Sequence, residues 1–163
     1  MSVETAKSET AKGLPQLSPH LVCDGAGRAM DFYKEAFAAE EMMRMPGPDG
    51  RLMHGAMRIG ESMVMLVDEN PEYGMKGPKL LGGTPVTLHL NVEDVDVFVE
   101  RAVKAGAKVV MLIDDMFWGD RYGIVEDPFG HNWSIATHTR DVSEEELREA
   151  VNNMGPDDHC GNE

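Results

Sequence analysis

What most restricts this chain is that it repeats itself. Laying His89 on His20, a shift of 69 residues, brings Glu93 onto Asp24, Glu100 onto Asp31, Ala105 onto Ala36 and Ala107 onto Ala38 without a gap. Identity between the halves is low, but their apolar patterns coincide, as expected of a duplicated supersecondary unit. Each half reads strand, helix, three strands. In the first, a strand over 17–23 leads to Asp24, whose carboxylate is expected to cap a helix over 25–37. Ala29, Phe32, Tyr33 and Ala36 recur at helical spacing and give that helix its buried face. Strands follow over 40–45, 51–59 and 61–68, the first two joined through Pro46-Gly47-Pro48-Asp49-Gly50.

The second half repeats the order. A strand over 86–92 precedes a helix opened by Asp94 and closed by Gly106, with Val95, Phe98, Val99 and Ala102 as its apolar stripe. A strand over 107–113 and a loop over 114–120 lead into a hairpin ending at His138. Its turn, Asp127-Pro128-Phe129-Gly130, has Asp and Pro where a type I or II turn asks for them. Alternation sends Val125, Trp133 and Ile135 to one face and Asn132, Ser134 and Ala136 to the other. A small polar face suits either a ligand or plain solvent. Ser143 and Glu146 form a capping box for a last helix carrying Leu147, Ala150, Val151 and Met154.

The expected organisation is therefore a disordered tail over 1–16, a βαβββ module over 17–68, a Gly/Pro-rich linker over 69–84, a second module over 85–139, a helix over 140–154 and a tail over 155–163. The class is α+β, with tandem modules whose curved mixed sheets form a cup. The cleft between the modules is the expected ligand site.

Composition narrows the partners. With 29 acidic against 15 basic residues, the net charge of −14 repels a phosphate backbone, and no Lys/Arg cluster offsets it. Nucleic acid and anionic membrane surfaces are excluded as partners. No apolar run approaches the roughly 20 residues of a membrane span, and the polar N-terminal residues do not read as a secretory signal. Cys23 and Cys160 lie far apart and read as reduced thiols of a cytoplasmic protein. The 13 methionines suit a core or an adaptable pocket.

Five strings now carry a resemblance: DFYKEAF (31–37), MPGPDGRLMHG (45–55), TPVTLHLNVEDVD (84–96), WGDRYG (118–123) and DPFGHNWSIATH (127–138). The chain resembles the vicinal oxygen chelate superfamily, which includes glyoxalase I, bleomycin-resistance proteins and extradiol dioxygenases, and is most similar to its PhnB-like branch. The resemblance implies a homodimer with a cup-shaped site for a small organic molecule. It implies either lyase, isomerase or dioxygenase-type chemistry, or metal-free binding and sequestration of a drug or metabolite. Metal-dependent members draw ligands from the first and fourth strand of each module; those positions fall here near Ser18, Met65, Thr87 and Ser134. Hydroxyls and a thioether are poor ligands for a hard or borderline divalent cation, so the chain departs from the metal-site pattern.

His20 and His89 occupy equivalent positions two residues further along, on the same strand face, and are the catalytic candidates. Three readings stand: a two-His site for a divalent metal, neutral imidazoles acting on a ligand as acid, base or hydrogen-bond partner, or a pair satisfied within the protein. The expected ligand-binding set is Met65, Thr87 and Ser134, His54 from mid-strand, and Trp118, Arg121 and Tyr122 at the final hairpin. Arg121 either clamps an anion or forms a local ion pair. Trp118 either stacks on a planar ligand or packs internally. His138, at the strand end, reads as a rim residue.

Overall fold

The computed structural model describes residues 14–155; residues 1–13 of the expected tail over 1–16, and 156–163 of the expected tail over 155–163 with Cys160, lie outside them. In the first half, β1 (His20–Cys23), α1 (Ala26–Phe37), β2 (Glu40–Pro46), β3 (Leu52–Ile59) and β4 (Ser62–Asp68) form a sheet of order β1-β4-β3-β2. After a connection holding a 3-10 turn (Pro71–Tyr73) and the short α2 (Pro78–Leu81), the second half has β5 (Thr87–Asn91), α3 (Val95–Ala105), β6 (Lys108–Asp115), β7 (Asp120–Glu126) and β8 (Asn132–His138). Its sheet has the matching order β5-β8-β7-β6. In both, the first strand runs parallel to the fourth and the rest are antiparallel. A last helix, α4 (Glu144–Asn152), follows, and no helix is long and apolar enough to cross a membrane.

The helix starts show where local reading succeeds. Asp94 caps α3, its carboxylate accepting from the Val97 N–H, and Ser143 and Glu146 form the expected box on α4. Asp24 does not cap α1. The N-cap is Gly25, in a left-handed conformation, and the orphan N–H groups of Gly25 and Ala26 donate to Asp68 Oδ1 from the end of β4, at 2.9 and 2.7 Å. The other oxygen of Asp68 accepts from the Leu52 N–H. In the second half Thr137, 69 residues on, takes the same place: its Oγ1 accepts from the Val95 N–H and donates to the Val92 carbonyl. Two further expectations shift. The first strand starts at His20 rather than 17, and the expected loop over 114–120 shrinks because β6 runs on to Asp115.

One core joins the halves. Leu21, Cys23, Met57 and Leu66 of the first sheet, Val125, Trp133 and Ile135 of the second, and the apolar faces of α1 and α3 belong to the same buried cluster. Phe37 of α1 stacks on Phe98 of α3 and leans on Trp133 of β8. The two helices thus lie between the two sheets, and the sheet faces turned away from them are open. Buried Ala56, Val67 and Ala136 are outside this core cluster because they point to those open faces.

The tie between halves is polar. Asp127, only 2% exposed, accepts from the backbone N–H groups of Phe129 and His131 on one oxygen, and from Tyr33 Oη (2.5 Å) and Trp133 Nε1 (2.9 Å) on the other. A buried carboxylate is tolerable only with such complete pairing. Burial and the adjacent charge push the Tyr33 hydroxyl well above its usual range, so it remains a donor. Burial likewise pushes the Cys23 thiol up, which makes it an inert core group. Tyr33→Phe removes one of the four donors while keeping the ring. It is expected to lower stability by about 1–3 kcal/mol, read as a lower urea midpoint at unchanged slope; an unmoved midpoint would show that the carboxylate does not need this donor.

Candidate functional site

Strand pairing assembles the open face of the first sheet. One row runs His20, Met65, Ala56, Met43 across β1, β4, β3 and β2. On the next row His54 stands opposite Met45. The His20 and His54 rings meet edge-on with centroids 6.1 Å apart. Desolvation first, and the neighbouring His54 second, lower the His20 pKa below its ordinary 6.5, so His20 is neutral at pH 7.

The open face of the second sheet is built on the equivalent row, His89, Ser134, Ile124, Met111. His89 is held at both nitrogens: Nδ1 lies 2.8 Å from Ser134 Oγ and Nε2 3.1 Å from Asn91 Oδ1. An amide oxygen only accepts, so Nε2 carries the proton and Nδ1 accepts from the serine hydroxyl. The imidazole stacks on Tyr122 at 6.2 Å, and Trp118 stands edge-on to Tyr122 at 5.7 Å. Thr87 is exposed two residues before His89, opposite Asn132.

The structure therefore divides the expected residues into two sets. His20, His54 and Met65 share one face; His89, Thr87, Ser134, Tyr122 and Trp118 gather on the other. Within one chain the expected meeting of His20 with His89 does not occur, because α1 and α3, not a hollow, lie between the sheets. Arg121 also departs from the ligand set. It points to the helix side, where Nε and Nη2 grip Asp96 of α3 at 2.6 and 2.8 Å and Nη1 reaches Asp115. Of its two readings, the ion pair is the one present. Asn91 and Met45 are additions that sequence reasoning missed. Two-residue spacing from His89 signals the first; the second needs the β2–β3 register.

Two hollows flank the edge strands β1 and β5. One of about 350 Å3 is lined by His20, Leu21, Lys76, Pro78, Leu88 and His131. Another of about 890 Å3 runs past His89, Phe98, Arg58 and Arg101.

The four positions at which metal-dependent relatives hold their ion do not fit a hard or borderline divalent cation here. Ser134 Oγ is committed to His89, Met65 offers a thioether, and Thr87 and Ser18 offer neutral hydroxyls. Among the described residues no group of three or more His, Cys, Asp or Glu could hold an ion.

Comparison with known proteins agrees with this architecture. The profile of the Glyoxalase/Bleomycin resistance protein/Dioxygenase superfamily matches residues 14–135. An uncharacterized protein of Mycobacterium bovis is 53% identical over 144 residues, covering 86% of this chain and 95% of that protein. TioX from Micromonospora superposes with a TM-score of 0.62 at 28% identity, over 76% of this chain and 98% of TioX. The PhnB protein from Bacillus cereus shares the fold, with a TM-score of 0.61 at 16% identity over 76% of this chain and 99% of its own.

At the rim, His138 lies between two carboxylates: Nδ1 is 2.9 Å from Asp120 Oδ1 and Nε2 2.9 Å from Asp141 Oδ1. Both partners only accept, so the imidazolium is favoured, and Asp120 first and Asp141 second raise the His138 pKa above 6.5. The contact therefore contributes in full below the ordinary histidine value and is lost as pH rises through the raised one. An NMR titration is expected to place the His138 midpoint above 6.5, with Asp120→Asn and Asp141→Asn each moving it down; a midpoint at or below 6.5 would contradict the pairing.

Proposed function

The chain belongs to the glyoxalase/bleomycin resistance protein/dioxygenase superfamily, and from that premise we propose that it binds a small, flat, largely apolar organic molecule in a cup shared by two copies. The observation that carries this reading is the back-to-back arrangement. Each sheet keeps a side-chain-rich face turned away from the helices, and β1 and β5 are edge strands of their sheets. Setting β1 of one copy beside β5 of a second continues the row from Met65 and His20 of the first to His89 and Ser134 of the second. The result is a cup with an imidazole from each copy and two such cups per dimer.

The lining selects the ligand. Thioethers adapt to irregular apolar surfaces, Tyr122 and Trp118 offer ring faces and edges, and Arg121 is already engaged. The net charge of −14 disfavours an anion. Binding and sequestration are supported better than turnover at the superfamily's metal positions, because His89 and Ser134 satisfy each other and the remaining donors there are weak. His20, neutral and without a hydrogen bond among the described residues, is the group best placed to accept a proton from a bound molecule.

Light scattering is expected to give a dimer at micromolar concentration, and a thermal-shift screen of aromatic heterocycles to find ligands that raise Tm. His20→Ala and His89→Ala should each abolish that shift. Mixing the two variants should restore binding, because half the cups of a mixed dimer then carry both histidines. A monomer, or failure of the mixture to recover binding, would overturn the shared cup.

A further inference from the structure

The open face of the first sheet also holds a set of nitrogen and sulfur donors whose chemistry goes beyond binding an organic molecule. His20 stands opposite Met65 across β1 and β4, and Met45 stands opposite His54 across β2 and β3. Met65 is also opposite Ala56, one same-face step from His54. The register thus sets the two His–Met pairs on neighbouring rows of one face, and one imidazole from each pair stands at a centroid distance of 6.1 Å from the other. A metal–imidazole bond is about 2 Å long, so two imidazoles on one ion keep their centroids about 5–6.5 Å apart. The observed spacing of the two imidazoles falls within that range.

The chemistry of the four donors is selective. Two imidazole nitrogens and two thioether sulfurs form a neutral, soft set. Glu40, at the far end of the same face, is tied to Arg58. Magnesium, calcium and manganese want oxygen ligands, and zinc prefers thiolate, imidazole and carboxylate; thioether sulfur favours Cu(I). We propose that His20, His54, Met65 and Met45 form a binding site for a soft monovalent metal ion, Cu(I) or its analogue Ag(I). His54 and Met65 are half-buried and Met45 is exposed, so the site has a half-buried floor and an open approach. All four donors come from one sheet of one copy, and the site does not depend on the shared cup.

The test uses the full chain with Cys160→Ser, which removes a competing thiol outside the described residues; Cys23 is sealed in the core. Ag(I) is titrated in and followed by calorimetry and native mass spectrometry, with Cu(I) affinity measured anaerobically against a chromophoric chelator. One ion per chain is expected, with shifts of the Met65 and Met45 methyl resonances and none of Met42. His20→Ala, His54→Ala and Met65→Leu should each weaken binding at least tenfold, and Met42→Leu should not. Met65→Leu conserves volume, so a loss at an unchanged urea midpoint belongs to the sulfur. The proposal is overturned by non-stoichiometric binding, by affinity unchanged in His20→Ala and Met65→Leu, or by displacement of Ag(I) by an equal concentration of Zn(II). A monomeric protein that still binds Ag(I) would sink the shared cup and leave this site standing.

Discussion

The buried carboxylate of Asp127 sets the terms for the rest of the molecule. A charge removed from water must be fully hydrogen-bonded, and the four donors that meet this need come from different places. Two are backbone groups of its own turn, one is Trp133 on β8, and one is Tyr33 on the helix of the other half. Satisfying Asp127 therefore draws α1 against the second sheet. Once Tyr33 and Phe37 are there, the aromatic cluster with Phe98 and Trp133 closes around them and the helices become the filling between two sheets. The outward direction of both open faces follows from this one docking.

Pseudo-symmetry holds for the frame and breaks in the chemistry. Asp68 and Thr137 stand at equivalent places near the ends of β4 and β8, and each accepts from the start of its own module's helix: a carboxylate takes the N–H groups of Gly25 and Ala26, and a hydroxyl takes that of Val95. His20 and His89 are equivalent too, yet their surroundings differ. Across from His20 lies a thioether, with a second imidazole within ring contact. Across from His89 lies a serine that takes its lone pair, with an asparagine on its N–H. One imidazole is left free for a ligand or an ion and the other is locked. A duplicated scaffold sets where side chains stand; it does not set what they do there.

Much of the frame was legible in the chain. Strand alternation in the last hairpin correctly sorted Trp133 and Ile135 from Ser134 and Asn132, because period two is a property of the strand alone. Asp94 and the Ser143–Glu146 box were legible for the same reason: each acts within three residues of itself. Asp24 looked as suitable as Asp94, but Gly25 already turns left-handed and Asp68 arrives through space with a charged acceptor for two N–H groups. Arg121 misled in a similar way, since nothing near it in sequence announces Asp96 across the sheet.

The sequence by itself determined the duplication, the strand–helix–strand grammar of each half, the shared strand face of His20 and His89 in their modules, and the poor metal donors at the superfamily's positions. These are local or periodic properties, carried by spacing and side-chain type, whereas the faces of His54 and Met65 needed the strand register. Only the tertiary structure decided that the halves pack helix to helix, that His20 meets His54 rather than His89, and that Arg121 faces inward. Those outcomes depend on which buried polar group finds its partners, a contest settled between residues as distant in the chain as Tyr33 and Asp127.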